Sequence, residues 1–175
     1  MNFPRILKKR KGYIDRIKPF MQKSVAKVLT GQRRVGKSFL LYQLIEEILA
    51  EEPDANIIYV NLEDFTFSSL QTAEDLHSYI ISHSKEKVKN YIFIDEIQDI
   101  PGFEKVIRSL LLNEDNDIYI TGSNAKMLSG ELATYLSGRY IEFKIYSLSY
   151  SEFLEFHGLT ESETSYELYS RYGGL

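Results

Sequence analysis

Hydrophobic positions along the chain switch repeatedly between a strand pattern and a helical one. Ser24 to Leu29 alternates small or apolar residues with polar ones and predicts a strand. Leu41, Leu44, Ile45, Ile48 and Leu49 then fall at i, i+3, i+4, i+7 and i+8, one face of a helix. Pro53-Asp54 marks a turn, and Asn56 to Leu62 is a near-continuous apolar run rich in β-branched residues, as in a strand buried on both faces. Thr72-Ala73-Glu74-Asp75 has the form of a capping box, opening a helix that turns Leu76, Tyr79 and Ile80 inward. A third strand covers Tyr91 to Ile94, and Phe103, Val106, Ile107, Leu110 and Leu111 give another helical face. Asp117 to Thr121 is a fourth strand. Leu128, Leu132, Tyr135 and Leu136 are helically spaced, with Gly130 able to split the segment. Ile141, Phe143 and Ile145 alternate with Glu142 and Lys144, which predicts a fifth strand with one wet face, at a sheet edge. Ser151 to His157 and Glu161 to Arg171 read as short helices, and residues 1–22 as one or two more.

Strands alternating with helices predict an α/β sandwich with a mostly parallel sheet. Ligands of such sheets bind beyond the carboxyl ends of the strands. Three polar features follow strand ends here: Gly31 to Ser38, Asp95-Glu96 and Ser123-Asn124.

The first of these, Gly31-Gln32-Arg33-Arg34-Val35-Gly36-Lys37-Ser38, fits the phosphate-binding loop G-x-x-x-x-G-K-[ST]. Glycines let the backbone curl so that several N–H groups point at one polyphosphate. The helix that follows adds unpaired N–H groups and its positive dipole end. Gly31, Arg34, Val35, Gly36, Lys37, Ser38 and Phe39 are therefore the expected nucleotide-binding residues. Lys37 would reach the β- and γ-phosphates, and Ser38 would place its hydroxyl on Mg²⁺.

Asp95 ends a hydrophobic strand, the pattern of a Walker B acid that holds Mg²⁺ beside Ser38. Glu96 is positioned to orient and polarise a water for in-line attack on the γ-phosphate. Asn124 is either a sensor of the γ-phosphate or a helix N-cap. Arg139 is either an arginine finger or a surface ion pair. Asn61, at the end of the second strand, fits a turn former better than a restraint on Glu96. Lys37, Glu96, Asn124 and Arg139 make up the expected catalytic set, with ATP and Mg²⁺ as cofactors.

Composition narrows these readings. The chain has 175 residues, enough for one domain with a core, and no cysteine, which excludes disulfides and thiol chemistry. The apolar runs fall short of a membrane span, so a cytoplasmic protein is the simplest expectation. The three histidines lack metal-ligand spacing, and the thirteen tyrosines form no stacking stripe. Residues 1–38 carry twelve Lys and Arg against the single acid Asp15, whereas residues 39–175 carry nine basic and twenty-four acidic residues. Such polarity suits a nucleic-acid partner or the docking of one subunit on the next. The simpler expectation is that part of this charge serves the nucleotide and the rest is a solvated surface. A guanine-reading Asn-Lys-x-Asp is missing, as is an Arg-rich kinase lid, which favours ATP hydrolysis over GTP or small-molecule kinase chemistry.

Together, Gly31-Gln-Arg-Arg-Val-Gly-Lys-Ser38, Ile94-Asp-Glu-Ile-Gln98, Ile120-Thr-Gly-Ser-Asn124, Leu136-Ser-Gly-Arg-Tyr140 and Ser151-Glu-Phe-Leu154 resemble the AAA-type ATPases of the archaeal-ATPase-like group. The resemblance implies a three-layer P-loop NTPase sandwich with strand order 5-1-4-3-2. It implies Walker A roles for Lys37 and Ser38 and Walker B roles for Asp95 and Glu96. Asn124 takes the first sensor position, and Arg139 the arginine near a subunit interface, hence self-association. The family's usual proline before Leu148 is replaced by Ser147. Its members continue into a nuclease-like C-terminal domain, whereas Gly173-Gly174-Leu175 falls within a motif, so a further domain is expected. The implied layout is a basic N-terminal segment (1–22) packing on the core, an ATPase core (23–148) and a helical extension (149–175). A nucleotide-controlled switch or scaffold, associated with nucleic acid through the basic segment, is the alternative to turnover.

Overall fold

A computed structural model describes residues 8–123, 135–136 and 138–173. Asn124 and most of the helix expected around Leu128 and Leu132 lie outside the described residues. Five parallel strands, β1 (Ala26–Gly31), β2 (Asn56–Asn61), β3 (Asn90–Asp95), β4 (Asn116–Ser123) and β5 (Tyr140–Lys144), stand in the order β2-β3-β4-β1-β5. This is the expected order, with β5 on an edge. Helices α2 (Lys37–Glu51), α3 (Ala73–His83) and α4 (Phe103–Leu110) make the crossovers. The chain opens with α1 (Lys11–Ile17) and closes with α5 (Tyr150–His157) and α6 (Glu163–Tyr172).

Strand period sorts the core into two layers. Ile92 and Ile94 of β3 face one way, joining Leu76 and Ile80 of α3 and Val106 and Ile107 of α4. Tyr91 and Phe93 face the other way, joining Leu40, Leu44 and Ile45 of α2 and Ile14 and Ile17 of α1. β1 and β3 are buried at all six positions, which is why their sequences hold few charged side chains. The capping box at Thr72 and Asp75 forms as expected, and Tyr79 is half-buried rather than fully inward.

The polar position Lys27 in β1 does not face water; it is fully buried against Asp117 of β4. Its ammonium also donates to the carbonyls of Lys23 (3.1 Å) and Val25 (3.0 Å). Asp117 in turn accepts from the Tyr119 hydroxyl (2.8 Å) and the Gln22 N–H (2.8 Å). The pair sits near the amino ends of β1 and β4, where it fixes the register Lys27 opposite Tyr119. The carboxyl ends of these same strands carry the phosphate loop and Ser123.

Candidate nucleotide site

The loop between β1 and α2 owes its shape to specific positions. A Cβ on Gly31 would lie 2.4 Å from the Ile145 carbonyl oxygen, so glycine there permits close approach of the chain leaving β5. Gly36 serves a different need: it takes φ +91° as the residue before α2, a conformation unfavourable for side chains. Arg34 also has positive φ, +67°, and is exposed. The loop borders an open cleft of about 680 Å³, lined by Arg34, Gly36, Lys37, Ser38 and Phe39 together with Glu63 and Glu96. Val35 is buried below it, and Phe39 is 49 % exposed.

Lys37 is 4 % exposed and curls back over its own loop. It donates to the carbonyls of Gly31 (3.3 Å) and Gln32 (3.1 Å), and its Nζ lies 3.3 Å from Glu96 Oε1. The basic end of one motif and the acidic end of another, 59 residues apart by their numbers, therefore meet at one point.

Asp95 is 1 % exposed at the end of β3. Thr121 donates its hydroxyl to Oδ1, and Tyr59 donates to Oδ2 at 3.3 Å. The Ser38 hydroxyl lies near enough to favour the ionised carboxylate, so the two expected magnesium ligands are neighbours. Burial pushes the Asp95 carboxyl above the usual range, and the Ser38, Thr121 and Tyr59 hydroxyls pull it back in part. Burial, with the Asp95 charge beside it, also raises the Tyr59 hydroxyl. Asp95 makes no ion pair among the described residues. A hard oxygen donor lacking a basic partner, with a serine hydroxyl beside it, suits Mg²⁺.

Glu96 takes a left-handed conformation, φ +55°, rare for a side chain of this size. Its N–H donates to Thr121 Oγ1 at 3.0 Å. Thr121 thus orients both acids at once, a role hidden in the sequence because it spans two strands. Gln98 donates from Nε2 to Glu96 Oε2 at 2.7 Å. Asn61 accepts the Glu63 N–H at 3.0 Å, the turn role expected of it, and the partners of the Glu96 carboxylate are Lys37 and Gln98.

Arg139 does not belong to its own chain's cleft. It precedes β5, whose first residue pairs with Ala26 at the start of β1, and its carbonyl accepts the Ala26 N–H at 3.0 Å. The phosphate loop lies at the other end of β1, about 17 Å away at strand rise. Its exposed guanidinium makes no ion pair among the described residues.

The basic N-terminal segment is less free than its composition suggests. Lys9 and Lys18 both pair with Glu47 at 2.6 Å. Arg10 is 5 % exposed and clamps Glu152 of α5 through two hydrogen bonds (2.8 and 3.0 Å). It also donates to the carbonyls of Val35 (3.1 Å) and Tyr146 (3.0 Å). Arg10 therefore serves neither nucleotide nor solvent; it buttresses the loop from behind. Burial works to raise the Glu152 carboxyl, but Arg10 and Ser149 outweigh it and hold the carboxyl below its ordinary range. A depressed acid contributes stability that is complete above the unfolded pKa and lost as pH falls through the folded one. In urea titrations, wild type is therefore expected to exceed Glu152→Gln by about 1–2 kcal/mol at pH 7. The gap should close as pH falls below about 4.

The fold and the cleft together define a P-loop nucleotide-binding domain. The chain matches the AAA domain family over residues 23–154 and belongs to it, an ATPase class. It is similar to an uncharacterized protein of Haemophilus influenzae, with 41 % identity over 177 residues, covering 95 % of this chain and 43 % of that protein. The chain thus spans less than half the length of this relative. Among solved structures it resembles AMPPCP-bound DnaA from Aquifex aeolicus (TM-score 0.57, 14 % identity, 97 % of this chain and 59 % of that one). It also resembles the Aeropyrum pernix ORC1 protein in complex with DNA (TM-score 0.60, 14 % identity, 94 % and 51 %). At such identities the likeness shows the fold.

Proposed function

We propose that the domain binds ATP with Mg²⁺ in the 31–38 cleft and hydrolyses it, with Glu96 positioning the attacking water. The observation that carries this reading is the contact of Lys37 with Glu96 beside the buried Asp95, with Ser38 at the start of the neighbouring helix. The charges that phosphate transfer needs converge at the carboxyl ends of β1 and β3. Gly36, Lys37, Ser38 and Phe39 would cradle the phosphates with N–H groups, and Ser38 and Asp95 would hold the metal. When bound, Mg²⁺ supplies charge neutralisation at the phosphate oxygens. The protein's own part is to exchange a resting contact for a working one. Lys37 leaves Glu96 for the phosphates, and Glu96 Oε1 becomes free to accept a proton from water.

Arg139, set at the far end of the sheet, would act on a neighbouring copy's nucleotide, which makes self-association part of the proposal. Asn124 would read the γ-phosphate. Among the described residues no helix is long and apolar enough to cross a membrane, and the reading places the protein in the cytoplasm. Nucleic-acid association is the secondary reading, prompted by the DNA-bound ORC1 likeness. The internal pairing of Lys9, Arg10, Lys18 and Lys27 leaves it less free charge than composition suggested. Phosphate release from ATP by the intact protein tests the main proposal. Turnover should require Mg²⁺, disappear in Lys37→Ala, and rise per molecule with protein concentration if Arg139 acts between copies. Turnover indifferent to Lys37→Ala would contradict it.

A further inference from the structure

We propose that Gln98 is a positioning residue that holds the Glu96 carboxylate for water activation and ties its placement to the end of β4. The inference rests on the ATPase reading of the cleft. Gln98 uses both ends of one carboxamide. Nε2 donates to Glu96 Oε2 at 2.7 Å, and Oε1 accepts the Ser123 N–H at 3.3 Å. Ser123 is the residue before Asn124. One side chain therefore joins the loop leaving β3 to the loop leaving β4.

The backbone gives Gln98 little freedom to drift. It sits in the short helical turn Ile97–Asp99, pinned on either side by Ile97 (0 % exposed) and Ile100 (2 % exposed). Glu96 itself is fixed through its N–H to Thr121.

The division of the two Glu96 oxygens is what matters. Lys37 holds Oε1 and Gln98 holds Oε2. Nucleotide phosphates compete for Lys37 but not for Gln98, which does not line the cleft. Once Lys37 turns to phosphate, Oε2 stays anchored and Oε1 is open to a water. Without Gln98 the freed carboxylate would rotate, and misplacement of a base by about 1 Å can cost roughly 100-fold in rate. The amide is specifically required. A glutamate here cannot donate when ionised and would repel Glu96. Any shift of the β4 end would move the same carboxamide, which makes Glu96 placement sensitive to the position of Ser123.

The test measures kcat and affinity for a fluorescent ATP analogue in the intact protein with Gln98→Ala, Gln98→Glu, Glu96→Gln and the double variant Glu96→Gln/Gln98→Ala. Both Gln98 variants are expected to lower kcat roughly 10- to 100-fold with nucleotide affinity essentially unchanged. In the Glu96→Gln background, Gln98→Ala should cause no further loss. Gln98→Glu is nearly isosteric, so it decides the matter if Gln98→Ala fails to fold. Wild-type kcat in Gln98→Glu would overturn the inference. So would an equal loss from Gln98→Ala in both backgrounds, because Gln98 would then act independently of Glu96. Full hydrolysis by Glu96→Gln would instead remove Glu96 as the base in the proposed reaction, and the inference with it, whereas failure of the Gln98 arms alone leaves that assignment standing.

Discussion

Glu96→Gln is expected to lower ATP turnover by roughly 10²- to 10⁴-fold, the usual contribution of a positioned general base, while ATP still binds. The substitution keeps the shape of the side chain. An amide accepts a hydrogen bond through its oxygen, so Gln98 retains a partner, but the amide cannot take a proton from water. It also removes the charge that holds Lys37 at 3.3 Å in the resting cleft. Lys37 then retains only the carbonyls of Gly31 and Gln32, so nucleotide affinity should hold or rise. Phosphate release under multiple turnover, set beside equilibrium binding of the same nucleotide, separates the two effects. Unchanged turnover would mean that Glu96 is not the base, whereas wild-type protein that binds ATP without releasing phosphate would mean that binding, not hydrolysis, is what the cleft provides, as in a switch or scaffold.

The second large effect is on stability. Lys27→Ala should cost about 3–5 kcal/mol in urea unfolding, because it leaves Asp117 charged and buried without its partner. The network is closed: three acceptors take the Lys27 protons, and Asp117 receives Lys27, Tyr119 and Gln22. Burial drives the Lys27 ammonium below its ordinary range, and Asp117 opposes that shift. Burial also raises the Tyr119 hydroxyl, and the neighbouring Asp117 charge adds to it. Replacing both charges, as Lys27→Met with Asp117→Leu, should recover much of the loss, since desolvation of a buried pair offsets most of its attraction. A double variant no more stable than Lys27→Ala would show that the network does more than neutralise charge. Being at the far end of β1 and β4, the pair lies away from the cleft, so variants that remain folded should keep their nucleotide affinity.

The parts of the fold readable in advance are those encoded locally. The strand, loop and helix around Gly31 to Ser38 announce themselves through glycine spacing and helical period. Asp95 and Glu96 are marked by the apolar strand they end. The edge position of β5 follows from Glu142 and Lys144 on its open face. Long-range partnerships are a different matter. Lys27 looks like any polar residue in an alternating strand until β4 places Asp117 beside it. Arg10 is one of four basic residues in a row, and only the folded chain brings Val35, Tyr146 and Glu152 around it. Net charge treats the segment's cations alike, whereas Arg10 is buried against Glu152 and Lys9 and Lys18 share Glu47 at the surface. Gln98 lies within the Ile94–Gln98 motif, but its partners are 2 and 25 positions away, after β3 and at the end of β4, so spacing alone assigns it nothing. The left-handed turn at Glu96 is equally silent, because nothing in a glutamate signals positive φ.

The most direct test is a structure of the Glu96→Gln protein with ATP and Mg²⁺ bound, the variant that holds nucleotide without consuming it. The expected result has Lys37 Nζ turned to the γ-phosphate and clear of residue 96, with the metal between Ser38 and Asp95. A nucleotide bound away from the 31–38 loop at saturating ATP, or a Lys37 still folded onto the Gly31 and Gln32 carbonyls, would contradict the account.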